Sequence, residues 1–353
     1  MHQAEVLVVI DGTAVEHRRD DGRIHAFDFF DFHMSSKILN PLEKTYVSIL
    51  IQGKISTFAG LKSKTDFMYS ILKKEMLTPT ICRMEVEAPR LARAAAPGQF
   101  LIVLPDEKGE RIPLTISDYD ADKGTVTIVT QKIGASSEDI IAKEPGDNFE
   151  GVVGPLGLPS EFVHLSPEEL SAQHYIFIAG GVGTAPVYPQ AKWLHERGVK
   201  VDVIIGAKTK DLLIYKEEMA SVCDALHICT DDGSEGFHGM VTALLEKLVG
   251  EGRNYTQAVA IGPMIMMKFT TLTCKKLGLP CTVSLNTLMV DGTGMCGACR
   301  VTVGGKTRFA CVDGPEFDGY EVDFDEAMRR QGQYKTEEAA TNEHHICRIG
   351  RGK

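Results

Sequence analysis

The chain has 353 residues, of which 43% are apolar and 24% charged, a composition typical of a globular protein with room for two or three domains. Its net charge of -10 argues against nucleic acid or an anionic membrane surface as the main partner, because both select basic surfaces. No apolar run approaches the ~20 residues of a membrane helix, and the first residues do not form a secretory signal. Nine cysteines without a regular framework favour a reducing cytoplasm.

Residues 1–67 differ in pattern from the rest of the chain. Short apolar runs such as VLVVI and YVSILI are separated by clusters of charged residues, and no period is sustained. We therefore predict a poorly ordered or non-essential extension, either a mobile arm or residues upstream of the true start. A small added domain is the alternative.

Residues 68–166 have the pattern of short β-strands. The segments TICRMEVEA, GQFLIVLP, RIPLTISDY, GTVTIVTQKI and DNFEGVVGP are separated by Gly, Pro and Asp. This pattern predicts an antiparallel β-barrel.

Two motifs within this predicted barrel are suited to binding an anion. In RIPLTISD, Arg111 can pair with diphosphate oxygens, and the rigid Pro113-Leu114-Thr115 step can hydrogen-bond the polar edge of a flat ring. For the first motif taken by itself, an exposed arginine before an ordinary strand is the favoured interpretation. In KIGASSED, Gly134 and the hydroxyls of Ser136 and Ser137 lie at a predicted helix start, where backbone N–H groups can bind an anion.

Residues 167–287 alternate strands with helical stretches. HYIFIAGG, VKVDVIIGA, ALHICTDD and AVAIGP read as strands, PVYPQAKWLHERG reads as a helix, and LGLPCTVSLN is the predicted closing strand. Such alternation predicts a parallel, doubly wound sheet.

Three segments of this half follow predicted strands, where an open parallel sheet places its ligand crevice. IAGGVGTAPVYP carries a glycine-rich turn, which departs from the strict G-x-G-x-x-G pattern, and TDDGSEGFHG and AIGPMIMMK follow later strands. The candidate nucleotide-binding residues are Gly180, Gly181, Gly183, Thr184, Asp231, Asp232, Gly262, Pro263 and Met264.

Residues 288–335 form a small glycine-rich module, and residues 336–353 read as a polar tail. MVDGTGMCGACRVTVGGKTRFACVDGPEF holds Cys296, Cys299 and Cys311, which suggests a metal site with one ligand still to be found. A structural zinc site would need four Cys or His ligands in two pairs, and here the second half has a single cysteine. Cys281 is one candidate for the missing ligand.

Taken together, the motifs R-x-P-L-T, G-x-x-S, G-P-L-G, G-G-V-G-T-A-P and G-P-M resemble the ferredoxin-NADP reductase superfamily. With the cysteine module, residues 68–335 are similar to electron transfer subunits of dihydroorotate dehydrogenase. They are still more similar to the small subunits of NADH-dependent ferredoxin:NADP oxidoreductases. The resemblance implies FAD in the barrel, NAD(H) on the α/β half and a [2Fe–2S] cluster in the C-terminal module.

The resemblance also identifies a fourth cluster ligand. Plant-type [2Fe–2S] centres use C-x4-C-x2-C with a distant fourth cysteine. In that frame the first position is Asp291, so the metal ligands are expected to be Asp291, Cys296, Cys299 and Cys311. The bifurcating reductases have aspartate at this position and the dihydroorotate dehydrogenase subunits have cysteine, which favours the former.

The function implied is an electron relay between NAD(H), FAD and the cluster, with a larger flavoprotein and iron–sulfur partner in a heterodimer and ferredoxin reached through that partner. No catalytic residue is assigned, because the cofactors carry the redox chemistry. Lys208 and Lys210 could serve a 2′-phosphate, but the resemblance favours NAD(H). The alternatives are the dihydroorotate dehydrogenase relay and a non-enzymatic, zinc-bearing interaction module.

Overall fold

The computed structural model describes residues 8–10, 14–18, 24–27, 69–107 and 109–341. The chain forms two compact units, Met1–Phe67 and Met68–Lys353. In the first unit, strands β1 (Val8–Ile10), β2 (Ala14–Arg18) and β3 (Ile24–Phe27) form an antiparallel sheet in that order. The run VLVVI contributes β1, whereas YVSILI lies outside the described residues. That this extension is non-essential stays a prediction.

The second unit begins with a seven-stranded antiparallel sheet in the order β10-β6-β7-β8-β5-β4-β9. The two edge strands, β9 and β10, are separated in sequence only by Glu150, so the sheet is nearly closed into a barrel. The predicted antiparallel barrel is thereby confirmed. Its strands and helices are β4 (Tyr69–Thr78), β5 (Ile81–Glu87), α1 (Pro89–Ala94), β6 (Phe100–Leu104), β7 (Ile112–Asp120), β8 (Thr125–Gln131), α2 (Ala135–Ala142), β9 (Asn148–Phe149) and β10 (Gly151–Leu156).

Alternation along the barrel strands sets which side chains fill its interior. In β5, for example, Cys82, Met84 and Val86 are buried and join the barrel core, whereas the intervening side chains are more exposed. This period of two is what a sheet with one buried face requires.

A second seven-stranded sheet follows, in the order β14-β13-β12-β11-β15-β16-β19. Its strands are β11 (His174–Gly180), β12 (Lys200–Ala207), β13 (Ala225–Thr230), β14 (Phe237–His238), β15 (Gln257–Ile261), β16 (Cys281–Ser284) and β19 (Glu316–Asp318). Strands β11 to β16 are parallel, and the order reverses at β11, which confirms the predicted doubly wound sheet.

Both faces of this sheet are covered by apolar side chains. The helices are α3 (Pro167–Ser171), α4 (Thr184–His195), α5 (Lys216–Ala220), α6 (Val241–Gly250) and α7 (Met264–Leu277). Val187 and Leu194 of α4 belong to the core on one face, and Leu244 of α6 and Met267 of α7 to the core on the other. Because both faces are buried, the strands read as continuous apolar runs such as VDVIIGA.

The predicted end of this sheet was wrong in one respect. β16 does not close the sheet, because β19 pairs antiparallel with its free edge, with Val283 opposite Phe317. β19 comes from the C-terminal module and has three residues, too few for a periodic pattern to show in the sequence.

The C-terminal module contains the hairpin β17 (Arg300–Val303) and β18 (Lys306–Phe309), then α8 (Ala310–Asp313) and α9 (Phe324–Gln331). A separate small core joins it to the barrel, since Cys299, Ala310 and Cys311 pack with Phe100 and Ile102 of β6. Residues 335–341, expected to lie mostly in a polar tail, are helical and exposed. Within the described ranges, no helix is long and apolar enough to cross a membrane.

Candidate functional site

The glycine-rich turn and the segment after β15 meet at the carboxyl edge of the parallel sheet. β11 and β15 are hydrogen-bonded neighbours there, and α4 begins immediately after the turn. A Cβ atom placed on Gly183 would lie 2.5 Å from the carbonyl oxygen of Ile261, and one on Gly180 would lie 2.3 Å from the sulfur of Met266. These glycines therefore allow two backbone segments to pack closely at the switch point, where doubly wound sheets bind nucleotides.

Two of the predicted nucleotide-binding residues face inward. Thr184 is fully buried and its hydroxyl donates a hydrogen bond of 2.9 Å to the carbonyl of Gly181, while Met264 is 4% exposed in the core. Their side chains are used in packing, so any contribution of these residues to nucleotide binding comes from the backbone. Gly181 has no atom within 4 Å of its Cβ position, which leaves its backbone open to a ligand.

Asp231 and Asp232 follow β13 in a loop that is tied to the end of β12. Their backbone N–H groups donate to the carbonyls of Ala207 (3.1 Å) and Lys208 (3.2 Å). The side chain and backbone of Ser234 donate to Asp232, which lowers the pKa of that carboxyl. Both aspartates are exposed, so the structure brings carboxylates to the same edge as the glycine-rich turn.

The two predicted flavin motifs lie side by side. The Ser136 hydroxyl, in the first turn of α2, donates to the carboxylate of Glu110, directly before Arg111. The hydroxyl of Ser137 is engaged within the turn, accepting from the N–H groups of Ile133 and Gly134 at 2.8 and 2.9 Å. The serines therefore shape the start of α2, and the groups left for an anion are its backbone N–H groups.

Pro113, Leu114 and Thr115 lie in β7 and are paired with β6, with Pro113 opposite Ile102 and Thr115 opposite Phe100. The three side chains are half-buried, so this part of the strand stays accessible to the polar edge of a flat ligand. The predicted ring-binding step is thus a regular part of the barrel wall.

The guanidinium of Arg111 reaches the loop that carries the predicted cluster ligands. It donates hydrogen bonds to the carbonyls of Val290 (3.3 Å) and Asp291 (3.2 Å). A Cβ atom on the next residue, Gly292, would lie 2.6 Å from the side chain of Ile102, so the loop packs directly on β6. The flavin motif and the cluster loop are therefore neighbours on the barrel.

Two of the four predicted cluster ligands already lie together. The sulfur atoms of Cys299 and Cys311 are 3.2 Å apart, and each side chain is 1% exposed. Burial and the Cys299 thiol raise the pKa of Cys311 to about 12. Two thiolates on one tetrahedral metal ion, at a bond length of about 2.3 Å, lie ~3.8 Å apart. The pair therefore fits two ligands of one iron, whose binding would displace the thiol protons.

The other two predicted ligands lie on the glycine-rich part of the loop. Cys296 is exposed, and the Asp291 carboxylate accepts a hydrogen bond from the Thr293 hydroxyl. Gly292, Gly294 and Gly297 have φ angles of +82°, +83° and +69°, as a loop wrapped around a cluster requires. In the part of the chain that the structure describes, no three Cys, His, Asp or Glu side chains are arranged around one ion. A [2Fe–2S] cluster needs two protein ligands at each iron, and the donor set fits that need.

Cys281, the alternative fourth ligand, lies in a different core. It is 2% exposed on β16, and its sulfur lies near the Thr271 hydroxyl and the Cys274 thiol. Cys299 and Cys311 belong to the small core of the C-terminal module instead. This placement supports Asp291, whose role as a ligand stays a prediction.

Sequence reasoning missed the side chains that join the parts of this unit. Lys192 of α4 donates to Asp118 of β7 at 2.9 Å, and Gln190 of α4 donates to Glu316 of β19 at 2.9 Å. These residues stand in ordinary polar positions of their elements, and no local pattern distinguishes them.

Residues 177–271 match the family described as the oxidoreductase NAD-binding domain, and residues 286–323 match the iron-sulfur cluster binding domain of dihydroorotate dehydrogenase B. An uncharacterised protein of the adh 3′ region of Clostridium beijerinckii is 59% identical over 272 residues, 77% of this chain and 92% of the relative. The Thermotoga maritima homolog of the dihydroorotate dehydrogenase B (NAD(+)) electron transfer subunit is 44% identical over 280 residues, 79% of this chain and 96% of the relative.

Among solved structures, a chain of the NADH-dependent reduced ferredoxin-NADP oxidoreductase, described for its insight into flavin-based electron bifurcation, is 42% identical. The match has a TM-score of 0.73 and covers 81% of this chain and 99% of the other.

Proposed function

Since the chain belongs to the family of dihydroorotate dehydrogenase B electron transfer subunits, we propose that it relays electrons between NAD(H), FAD and a [2Fe–2S] cluster within an electron-bifurcating NADH-dependent ferredoxin:NADP oxidoreductase. The observation that carries the proposal is the contact between the flavin motif and the cluster loop. Arg111 donates to the carbonyls of Val290 and Asp291, and Gly292 packs on Ile102, the pairing partner of Pro113. Neighbouring strands lie ~4.8 Å apart, so the two sites are close.

The chain's own residues bind and orient the cofactors. Arg111 and the backbone at the start of α2 hold the FAD diphosphate, and the β7 backbone from Pro113 to Thr115 holds the polar edge of the ring. The turn around Gly181 receives the pyrophosphate of NAD(H) at the start of α4. Bound FAD would supply the chemistry that links two-electron exchange with NADH to one-electron exchange with the cluster.

Cys299 and Cys311 hold one iron of the cluster, and Asp291 and Cys296 hold the other. The close, buried sulfur pair supports this division, because it leaves the two loop residues for the second iron. The cluster loop keeps an exposed edge at Cys296, through which a partner subunit can receive electrons.

The partner is a larger flavoprotein with iron–sulfur clusters, joined to this chain in a cytoplasmic heterodimer that ferredoxin reaches through that partner. The relatives named as electron transfer subunits support such a partner. Their names also support the second candidate, the relay of an NAD-dependent dihydroorotate dehydrogenase. Asp291 in the cluster frame favours the bifurcating enzyme.

The test is to purify the chain with its native partner and to measure flavin and iron content, the spectrum and the electron acceptors. We expect a coloured protein containing FAD and a [2Fe–2S] cluster that oxidises NADH faster than NADPH and couples NADP and ferredoxin turnover. Dihydroorotate oxidation by the complex would select the second candidate. A colourless protein that binds zinc would refute both.

A further inference from the structure

A single carboxyl group joins the three parts of the second unit. Glu316 lies on β19, the strand of the C-terminal module that pairs with the nucleotide-binding sheet. Its Oε1 accepts a hydrogen bond of 3.0 Å from the Ser160 hydroxyl, after the last barrel strand, and one of 2.9 Å from the Gln190 amide of α4. Ser160 and Gln190 are 0% and 1% exposed, so both donors are buried, whereas Glu316 as a whole residue is half-buried.

No positive charge balances this carboxyl among the described residues around it. The ionisable groups that face it are Glu161, which follows Ser160, and Tyr175 on β11. A Cβ atom placed on Gly98 would lie 3.0 Å from Oε1, so the barrel backbone lies directly beside this oxygen. Burial and, to a smaller extent, repulsion by Glu161 raise the pKa of Glu316 from 4.5 to about 7, against the two hydrogen bonds.

The side-chain amide of Gln190 lacks one hydrogen bond. Its Oε1 is buried and accepts no hydrogen bond from the described residues. A protonated carboxyl has one O–H donor as well as an acceptor, and an acid and an amide can pair through two parallel hydrogen bonds. One of these bonds, from the Gln190 amide to Glu316 Oε1, is present, and a proton on Oε2 would be the donor that the other requires. An ionised carboxylate has no donor, so Glu316 can satisfy the buried Gln190 Oε1 only as the neutral acid.

We propose that Glu316 is a positioning residue for electron transfer, which in its neutral form holds the cluster module against the barrel through Ser160 and against the nucleotide domain through Gln190. Ionisation of Glu316 leaves an unbalanced negative charge where the three parts meet. It thereby loosens the contact of the cluster module with the barrel and with the nucleotide domain. The inference rests on the proposed function in that the barrel, sheet and module must be held together for electrons to pass between them.

The first test follows thermal unfolding of the full chain with pH and needs no electron transfer. The folded state holds the Glu316 proton more tightly than the unfolded state, so the stability that Glu316 contributes falls as the pH rises from 4.5 to about 7 and then levels. Glu316→Gln mimics the neutral acid, so it should melt at the same temperature as wild type at pH 5 and higher at pH 8. Glu316→Ala, which loses both hydrogen bonds, should melt lower at both pH values.

The second test measures the rate of cluster reduction by NADH in the loaded holoprotein, by stopped-flow absorbance. With a pKa of about 7, the neutral fraction falls about tenfold between pH 6 and pH 8, and the wild-type rate should follow it. In Glu316→Gln the rate should be independent of pH over that interval. Glu87→Gln removes an exposed carboxylate at the end of β5 and should keep the wild-type profile.

The outcomes separate this inference from the proposed function. If NADH does not reduce the cluster of the wild type at any pH, the proposed relay is wrong, and the unfolding data still decide the charge of Glu316. If the wild type is reduced and Glu316→Gln keeps the same pH profile, the positioning role is refuted. If Glu316→Gln melts no higher than the wild type at pH 8, the claim that the folded protein favours the neutral form of Glu316 is refuted.

Discussion

Gly180, at the end of β11, and Gly181 and Gly183, in the turn after it, should differ sharply in their tolerance of alanine. At Gly183 the new Cβ atom would lie 2.5 Å from the Ile261 carbonyl oxygen and 2.8 Å from the Gly262 Cα, both backbone atoms. At Gly180 the nearest atom, at 2.3 Å, is the sulfur of Met266, a flexible side chain. At Gly181 no atom lies within 4 Å of the Cβ position, and the obstacle to a side chain is the backbone φ angle of +55°.

These geometries set the expected losses in the free energy of unfolding. A left-handed alanine at position 181 costs about 1–2 kcal/mol. Overpacking costs about 1–3 kcal/mol where side chains can yield, which applies to Gly180→Ala. Gly183→Ala should cost ~3 kcal/mol or more and weaken NADH binding most, because the β15 backbone must move away from the turn.

Urea unfolding and NADH titration of the three variants measure these effects. Met266→Ala provides a matched control, because it removes the obstacle to Gly180→Ala and leaves that to Gly183→Ala in place. The double variant of positions 180 and 266 should therefore show a coupling of about 0.5–3 kcal/mol. The coupling of positions 183 and 266 should be smaller, because these residues meet only through Gly262. Rescue of Gly183→Ala by Met266→Ala, or a Gly183→Ala loss no larger than that of Gly181→Ala, would refute the reasoning.

Four further outcomes are expected. Arg111→Ala removes a charge-assisted contact worth roughly 1.5–3 kcal/mol, so flavin should bind about ten- to hundredfold more weakly in an equilibrium titration. Asp291→Ala should make the cluster labile or absent in the visible spectrum, whereas Cys281→Ser should leave it intact. Burial opposes ionisation of Asp202, yet its pKa is held well below the ordinary range. The ring nitrogens of His227 and His174 lie 3.8 and 3.4 Å from its carboxylate, and the Tyr255 hydroxyl donates to it at 2.9 Å. Its stabilising effect is therefore present above pH ~4 and lost in more acidic solution, and Asp202→Asn should lower stability at pH 7 in urea unfolding while flattening the acid limb. A chain starting at Met68 should keep flavin, cluster and NADH oxidation, and its failure to fold would show that the extension is structural.

The parts of the fold that follow from local pattern were predictable. Alternation in TICRMEVEA and the apolar run VDVIIGA reflect one and two buried faces, and each was assigned to the correct type of sheet. β19 could not be predicted, because Glu316–Asp318 becomes a strand only by pairing with β16. Its conformation is decided by a distant segment, which no window of sequence contains.

The residues of the candidate site also divide into those that a local pattern predicts and those whose roles depend on distant contacts. Glycine spacing located the tight turn at the end of β11, because close packing there excludes every larger residue. The same reasoning could not distinguish Gly183, which packs against the β15 backbone, from Gly181, which faces open space. It also could not show that the Thr184 hydroxyl donates a hydrogen bond within its own turn. The role of Glu316 depends on Ser160 and Gln190, which are 156 and 126 residues away in sequence.

The pairing of β19 with β16 bears on how the protein is made. Until Glu316–Asp318 leaves the ribosome, the nascent nucleotide-binding sheet has an unpaired edge at Cys281–Ser284, formed by buried, strand-favouring residues. All four predicted cluster ligands are synthesised between these two strands, so the cluster loop emerges while that edge is still open to pairing with other chains, a state prone to aggregation.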